Sequence, residues 1–143
     1  MNTYSILLVE DHPGFAQALI SMLSQHKNLT VAAVAGTAEE ALEKLPALEV
    51  DLVLVDYSLP NISGLNLVEE LHKTYPDLHS AIISGYLSLE HARRALEAGA
   101  RGYLIKDDPA GILTGIQHIL NGKIYVSEEL RNLGVTDLLT GLT

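Results

Sequence analysis

Two short apolar runs, each ending abruptly in carboxylates, constrain this 143-residue chain more than any other feature. Ile6-Leu7-Leu8-Val9 runs into Glu10-Asp11. Leu52-Val53-Leu54-Val55 runs into Asp56, with the turn formers Ser58, Pro60, Asn61 and Gly64 close behind. Unbroken apolar runs this short read as strands buried on both faces, as in a parallel sheet covered by helices. In such open sheets the site lies beyond the carboxyl ends of the strands, near the point where strand order reverses. Three carboxylates brought to one sheet edge repel each other, so something cationic is expected among them.

The rest of the chain supports an α/β fold, a doubly wound five-stranded parallel sheet with helices on both faces. Strands are predicted at Tyr4–Val9, Thr30–Ala35, Leu52–Asp56, Ala81–Ser84 and Gly102–Ile105, alternating with amphipathic segments. Phe15, Ala18, Leu19 and Met22 recur at helical spacing, as do Leu65, Val68 and Leu71, then Leu89, Ala92 and Leu96, then Ile112, Ile116, Ile119 and Leu120. Thr37 with Glu40 reads as a capping box, Asp108-Pro109 as an N-cap with proline in the first turn, and Asn121-Gly122 as a left-handed helix end. The domain is expected to span residues 1–125. Residues 126–143 read as a linker or tail, with one further helical turn at Glu128–Arg131.

Composition excludes several function classes. The formal charge of −9, with nine scattered cationic residues, argues against this segment gripping nucleic acid itself. No apolar stretch approaches the roughly 20 residues that span a bilayer, and the start lacks a signal-peptide pattern, so no membrane role is expected. With no cysteine there is neither a disulfide framework nor a thiolate metal site, and a cytoplasmic setting is the default.

Glu10-Asp11, Asp56, Ser84 and Lys106 follow strands one, three, four and five, which puts all of them at one sheet edge. The ordered set Glu10-Asp11, Asp56 with Pro60 and Gly64, Ser84-Gly85, Tyr103 and Lys106-Asp107 resembles the response-regulator receiver domains of two-component signalling. The match runs from about Tyr4 to Gly122. It implies the flavodoxin-like strand order 2-1-3-4-5. It also implies phosphorylation on Asp56, with a sensor histidine kinase as donor. Gly102–Asp107, Gly115-Ile116 and Asn121–Ser127 resemble receivers joined to a LuxR/NarL-type helix-turn-helix. The ending Val135–Thr143, with Leu139-Thr140, resembles the approach to such a domain, whose DNA-reading helices are missing from this chain. DNA would then be reached only through that C-terminal domain, and a homodimer would form on phosphorylation.

Each role makes chemical sense. A carboxylate can attack phosphorus to give an acyl phosphate, which fits Asp56. Asp11, Asp56 and the Ser58 carbonyl offer hard oxygen ligands for Mg²⁺, and Glu10 would hold a metal-bound water. Lys106 supplies an ammonium and Ser84 a hydroxyl to phosphoryl oxygens. Two unit charges about 4 Å apart at an effective dielectric near 20 interact by roughly 4 kcal/mol. Three carboxylates against Lys106 alone would therefore leave one with a raised pKa, whereas Mg²⁺ plus Lys106 balances all three. By the resemblance, Ser84 moves toward the phosphoryl group and Tyr103 turns inward as a switch pair. Ser58 and Tyr86, two positions after Asp56 and Ser84, depart from the commonest receiver pattern at places tied to phosphoryl lifetime.

Plainer readings stand beside these. Asp56 alone could cap its own turn, Lys106 could be a solvated loop lysine, Ser84 a turn residue and Tyr103 a half-buried strand aromatic. Glu10-Asp11 could merely complement the helix after Pro13. The histidines His12, His26, His72, His79, His91 and His118 show no close ligand spacing and read as surface or packing residues. Two rival functions remain. An aspartyl phosphatase or phosphotransferase of haloacid-dehalogenase type would want an aspartate where Ser58 stands. A flavodoxin-type flavin module would want a small, hydroxyl-rich loop where Glu10-Asp11-His12-Pro13 stands. A stand-alone receiver acting by protein contact is the remaining alternative.

Overall fold

Successive strand side chains point to opposite faces, and both faces of this sheet are dry. Leu7, Val9, Val53, Val55, Ile82 and Tyr103 join one buried cluster with Ala38, Ala41, Leu67, Val68, Leu71, Ala92 and Ala95. Ile6, Leu8, Leu52, Leu54, Ile83 and Leu104 join the other with Leu19, Leu23, Ile112, Ile116 and Ile119. In this computed structural model, which describes residues 3–135, the elements run β1 (Tyr4–Val9), α1 (Pro13–Ser24), β2 (Leu29–Ala35), α2 (Ala38–Lys44), β3 (Leu52–Asp56), α3 (Gly64–Thr74), β4 (His79–Ser84), α4 (Leu89–Ala98), β5 (Gly102–Ile105), α5 (Pro109–Leu120), β6 (Tyr125–Val126) and the single turn α6 (Glu128–Leu130). Helices α1 and α5 cover one face, and α2, α3 and α4 the other.

Helix starts are written locally. The Thr37 hydroxyl accepts from the Glu40 N–H at 3.0 Å, and the Glu40 carboxylate accepts from the Gly36 N–H at 2.9 Å. Ser63, Ser88 and Asp108 cap α3, α4 and α5 in the same way. Gly122 takes φ 85° just after α5, the left-handed end that the Asn-Gly pair anticipates.

All strands are parallel, in the order β2-β1-β3-β4-β5-β6. The 2-1-3-4-5 order is as expected, but the sheet has six strands and not five. Two residues are too few to register as an apolar run, so β6 left no signal in the hydrophobic pattern. It pairs Tyr125 with Gly102 and Val126 with Tyr103 along the outer edge of β5. The expected boundary after residue 125 falls inside this strand. Val126 and Leu130 are buried in the main core, and Arg131 donates to the Val126 carbonyl at 2.8 Å with its guanidinium over the Tyr125 ring. β2 starts at Leu29 and β4 at His79, slightly ahead of their expected starts. The ending 136–143, with Leu139-Thr140, lies outside the described residues.

Leu130 is fully buried, so Leu130→Ala is expected to cost about 3 kcal/mol in urea denaturation. A loss below about 0.5 kcal/mol, the range of a surface substitution, would show that this turn lies outside the core.

Candidate functional site

Strand order reverses between β1 and β3, and both strands end there in carboxylates. β3 delivers Asp56 as its last residue, 2% exposed. β1 ends at Val9, and the next residue, Glu10, is 3% exposed, while Asp11 and His12 face solvent. The start of α3 presses directly on the backbone of Asp56. A Cβ on Gly64 would collide with the Asp56 carbonyl oxygen, which is why glycine stands there.

Lys106, just after β5, reaches across this edge. Its Nζ lies 2.9 Å from Glu10 Oε1 and 3.3 Å from Asp56 Oδ2, and 4.8 Å from the centre of the Phe15 ring. The Glu10 contact is an ion pair without hydrogen-bond alignment, so the buried Oε1 keeps unspent acceptor capacity. The other Glu10 oxygen accepts from the His12 backbone N–H at 3.1 Å and meets His12 Nδ1 at 2.8 Å. Asp56 Oδ1 accepts from the Ser58 N–H at 3.1 Å. Asp56 therefore does cap its own turn, but with one oxygen only; Oδ2 faces Lys106. Lys106 is no solvated loop lysine; α1 has no side-chain cap at its N-terminus, and Glu10 faces Lys106 and His12.

His12, read from the sequence as a surface or packing residue, is exposed and also borders the carboxylates. One donor atom each from Glu10, Asp11, His12 and Asp56 lie within 4.8 Å of one another. His12 Nδ1 stands 3.2 Å from Asp11 Oδ1 and 3.7 Å from Asp56 Oδ2. No i, i+4 pattern announced it; the signal was its place immediately after Glu10-Asp11. The Glu10 hydrogen bond and the Asp11 charge hold its pKa above the ordinary imidazole value, so the imidazolium offsets part of the crowding. The other described histidines are not among these donors. For example, His118 sits on the Thr114 carbonyl, and His72 packs against Gly99.

Burial and the adjoining Glu10 carboxyl push the Asp56 pKa up, against the Ser58 N–H and Lys106. Burial would raise Glu10 too, but Lys106 and His12 outweigh it and Glu10 ends below the usual carboxylate range. Desolvation works to lower Lys106, yet its two carboxylates prevail and raise it. The crowded edge thus tends to protonate Asp56, as expected for three carboxylates short of cationic charge.

Ser84 ends β4 fully buried, and its Oγ accepts from the Tyr86 N–H at 2.9 Å. The Ser84 carbonyl accepts from the Lys106 N–H at 2.9 Å, which ties β4 to the loop carrying the lysine. Tyr103 is not half-buried: it is 0% exposed, with its hydroxyl donating to the Tyr86 carbonyl at 2.7 Å. Burial pushes its phenol up to about 12. Its ring already lies inward in this conformation.

Fold and site together define a doubly wound α/β domain with an acid-rich crevice at the switch point of its sheet. The chain belongs to the response regulator receiver domain family, which it matches over residues 6–127. Its relatives are of NarL/LuxR type. It is 36% identical over 126 residues to the transcriptional activator protein ExaE of Pseudomonas putida, covering 87% of this chain and 59% of that one. It is 30% identical over 127 residues to the nitrate/nitrite response regulator protein NarL of Escherichia coli, covering 88% and 59%. A LuxR-family two-component response regulator from an Aurantimonas species superposes with TM-score 0.88 at 28% identity, covering 92% and 94%. The chain thus spans less than two thirds of the length of the two curated relatives. Among the described residues no helix is long and apolar enough to cross a membrane.

Asp56→Asn removes the carboxylate that burial disfavours, so it is expected to stabilise the metal-free protein at pH 7 by about 1 kcal/mol. A raised folded-state pKa means that the folded chain binds the extra proton. The gain should therefore shrink as pH falls through that raised value toward the ordinary 3.8. Urea denaturation of both forms at several pH values checks this; a destabilised variant at pH 7 would contradict it.

Proposed function

We propose that this chain is the phosphoacceptor domain of a two-component response regulator, phosphorylated on Asp56 in a Mg²⁺-dependent reaction. The observation that carries the reading is the meeting of Glu10, Asp11 and Asp56 with Lys106 at the sheet's switch point. The donor set suits a hard divalent cation, because it consists of carboxylates and one buried Glu10 oxygen lacks a hydrogen bond. Asp11, Asp56 and the Ser58 carbonyl would hold Mg²⁺, with Glu10 on a metal-bound water. When bound, the ion would keep Asp56 ionised and neutralise charge on the transferring group.

The chain's own residues supply the rest. An Asp56 carboxylate oxygen attacks the donor's phosphorus. The new acyl P–O bond forms as the bond to the donor breaks, and that electron pair leaves with the donor. Lys106 is held by two carboxylates within reach of Asp56, so its ammonium can meet a phosphoryl oxygen as charge builds. Ser84 Oγ accepts from the Tyr86 N–H, and its hydroxyl can donate to another phosphoryl oxygen. The domain promotes its own phosphorylation and slow dephosphorylation and is not a turnover enzyme.

The added charge of about −1.5 to −2 shifts the population between conformations, with Ser84 and Tyr103 as the switch residues. The donor would be a sensor histidine kinase in the cytoplasm. The output would be homodimerisation and DNA binding through a C-terminal domain, as the relatives' description as a transcriptional activator and a response regulator supports.

Acetyl phosphate with Mg²⁺ is expected to give one phosphoryl adduct by intact mass, absent with EDTA and in Asp56→Asn. Labelling of Asp56→Asn equal to wild type would refute Asp56 as acceptor. Lys106→Ala should still bind Mg²⁺ yet label at least tenfold more slowly, since one fixed charge on the transferring group is lost. An unchanged rate would remove Lys106 from the chemistry.

A further inference from the structure

Three rings that the acceptor chemistry does not use meet beside the site. The His91 imidazole, in the first turn of α4, stacks on the Tyr57 ring with centroids 4.3 Å apart and planes 17° apart. Tyr86 stands edge-on to both, at 5.5 Å from His91 and 6.4 Å from Tyr57. His91 Nδ1 is buried without a hydrogen-bond partner among the described residues, so ring contacts and not a bond at that nitrogen hold the imidazole. Tyr57 directly follows Asp56, and its N–H donates to the Ile83 carbonyl of β4 at 2.9 Å, which makes it a fixed wall.

What the trio fixes is the Tyr86 peptide. Its N–H donates to Ser84 Oγ, and its carbonyl accepts from the Tyr103 hydroxyl. One residue thus orients the Ser84 hydroxyl and holds the Tyr103 ring inward. Tyr86 is 57% exposed, so the ring neighbours add to these two hydrogen bonds in holding the loop in one place.

We propose that Tyr57 and His91 are positioning residues that, through Tyr86, set Ser84 and Tyr103 in the phosphoryl-accepting arrangement before phosphorylation. This rests on the phosphoacceptor reading above. The trio lowers the cost of reaching the competent state because that state is already assembled. Losing the His91 ring, with its contacts to both Tyr57 and Tyr86, weakens this preference by about fivefold, within the range of aromatic contacts. The metal-binding carboxylates are untouched.

The test uses the whole chain as wild type, His91→Ala and His91→Phe. Beryllofluoride, a phosphoryl mimic, is titrated at saturating Mg²⁺; Mg²⁺ affinity and Tyr86 amide exchange are measured separately by NMR. His91→Ala should need about fivefold more beryllofluoride and exchange the Tyr86 amide faster, at unchanged Mg²⁺ affinity. His91→Phe, which keeps a ring against Tyr57, should stay within twofold of wild type. Equal beryllofluoride midpoints in wild type and His91→Ala would overturn the proposal. So would a phenylalanine variant no better than alanine, or a parallel loss of Mg²⁺ affinity, which would mean general damage. Should wild type bind no beryllofluoride, the phosphoacceptor reading falls by itself. Tyr86 amide exchange then decides the positioning claim alone: faster in His91→Ala upholds it, unchanged overturns it.

Discussion

Like charges crowded at the edge of a dry sheet are the constraint on which this molecule's chemistry depends. Glu10 and Asp56 are almost wholly buried, and Asp11 stands beside them. Among the described residues, Lys106 and the His12 imidazole, whose pKa these carboxylates raise, face them. Isolated buried carboxylates would take up protons and lose their use. Lys106 prevents this for Glu10, whereas Asp56 is left with a raised pKa. The cluster therefore carries more negative than positive charge, an excess that would suit it to the divalent ion proposed above.

The fold serves this arrangement. A sheet with two covered faces gives rigid, water-free strands, and the reversal of order between β1 and β3 opens a crevice where their ends diverge. Gly64 lets α3 close on the backbone of Asp56, and the Lys106 N–H bond to Ser84 locks the lysine loop to β4. Beyond the crevice, the backbone of Tyr86 joins Ser84 to Tyr103, and Tyr103 lies in β5, whose outer edge pairs with β6. The Ser127 N–H donates to the Tyr103 carbonyl at 3.1 Å. The acceptor crevice and the C-terminal segment are thus linked by successive hydrogen bonds through one buried tyrosine.

Much of this was legible in the sequence because the signals were local. Apolar runs marked five strands, Thr37, Asp108 and Asn121-Gly122 marked helix ends, and carboxylates at strand ends marked the edge where the site lies. What escaped depended on contacts distant in sequence. β6 is too short to carry a pattern and is held by pairing to β5 and by Val126 and Leu130 in the core. His12 has no ligand-type spacing, yet the turn after β1 folds its Nδ1 into the carboxylates. The plainer reading of Tyr103 as a half-buried strand aromatic fails because nothing in a strand pattern tells how fully its neighbours enclose it. The trio of Tyr57, Tyr86 and His91 joins three separate loops and helix starts, and no periodicity relates them.

Mg²⁺ is the ion proposed to supply the positive charge that the cluster lacks. The most direct measurement is the thermal midpoint of unfolding of wild type and Asp11→Asn as Mg²⁺ is raised through the millimolar range at fixed ionic strength. A ligand that binds only the folded state must raise that midpoint as its concentration passes the dissociation constant. A progressive rise is expected in wild type, largely lost in Asp11→Asn. A midpoint indifferent to Mg²⁺, or equally responsive in both forms, would contradict it.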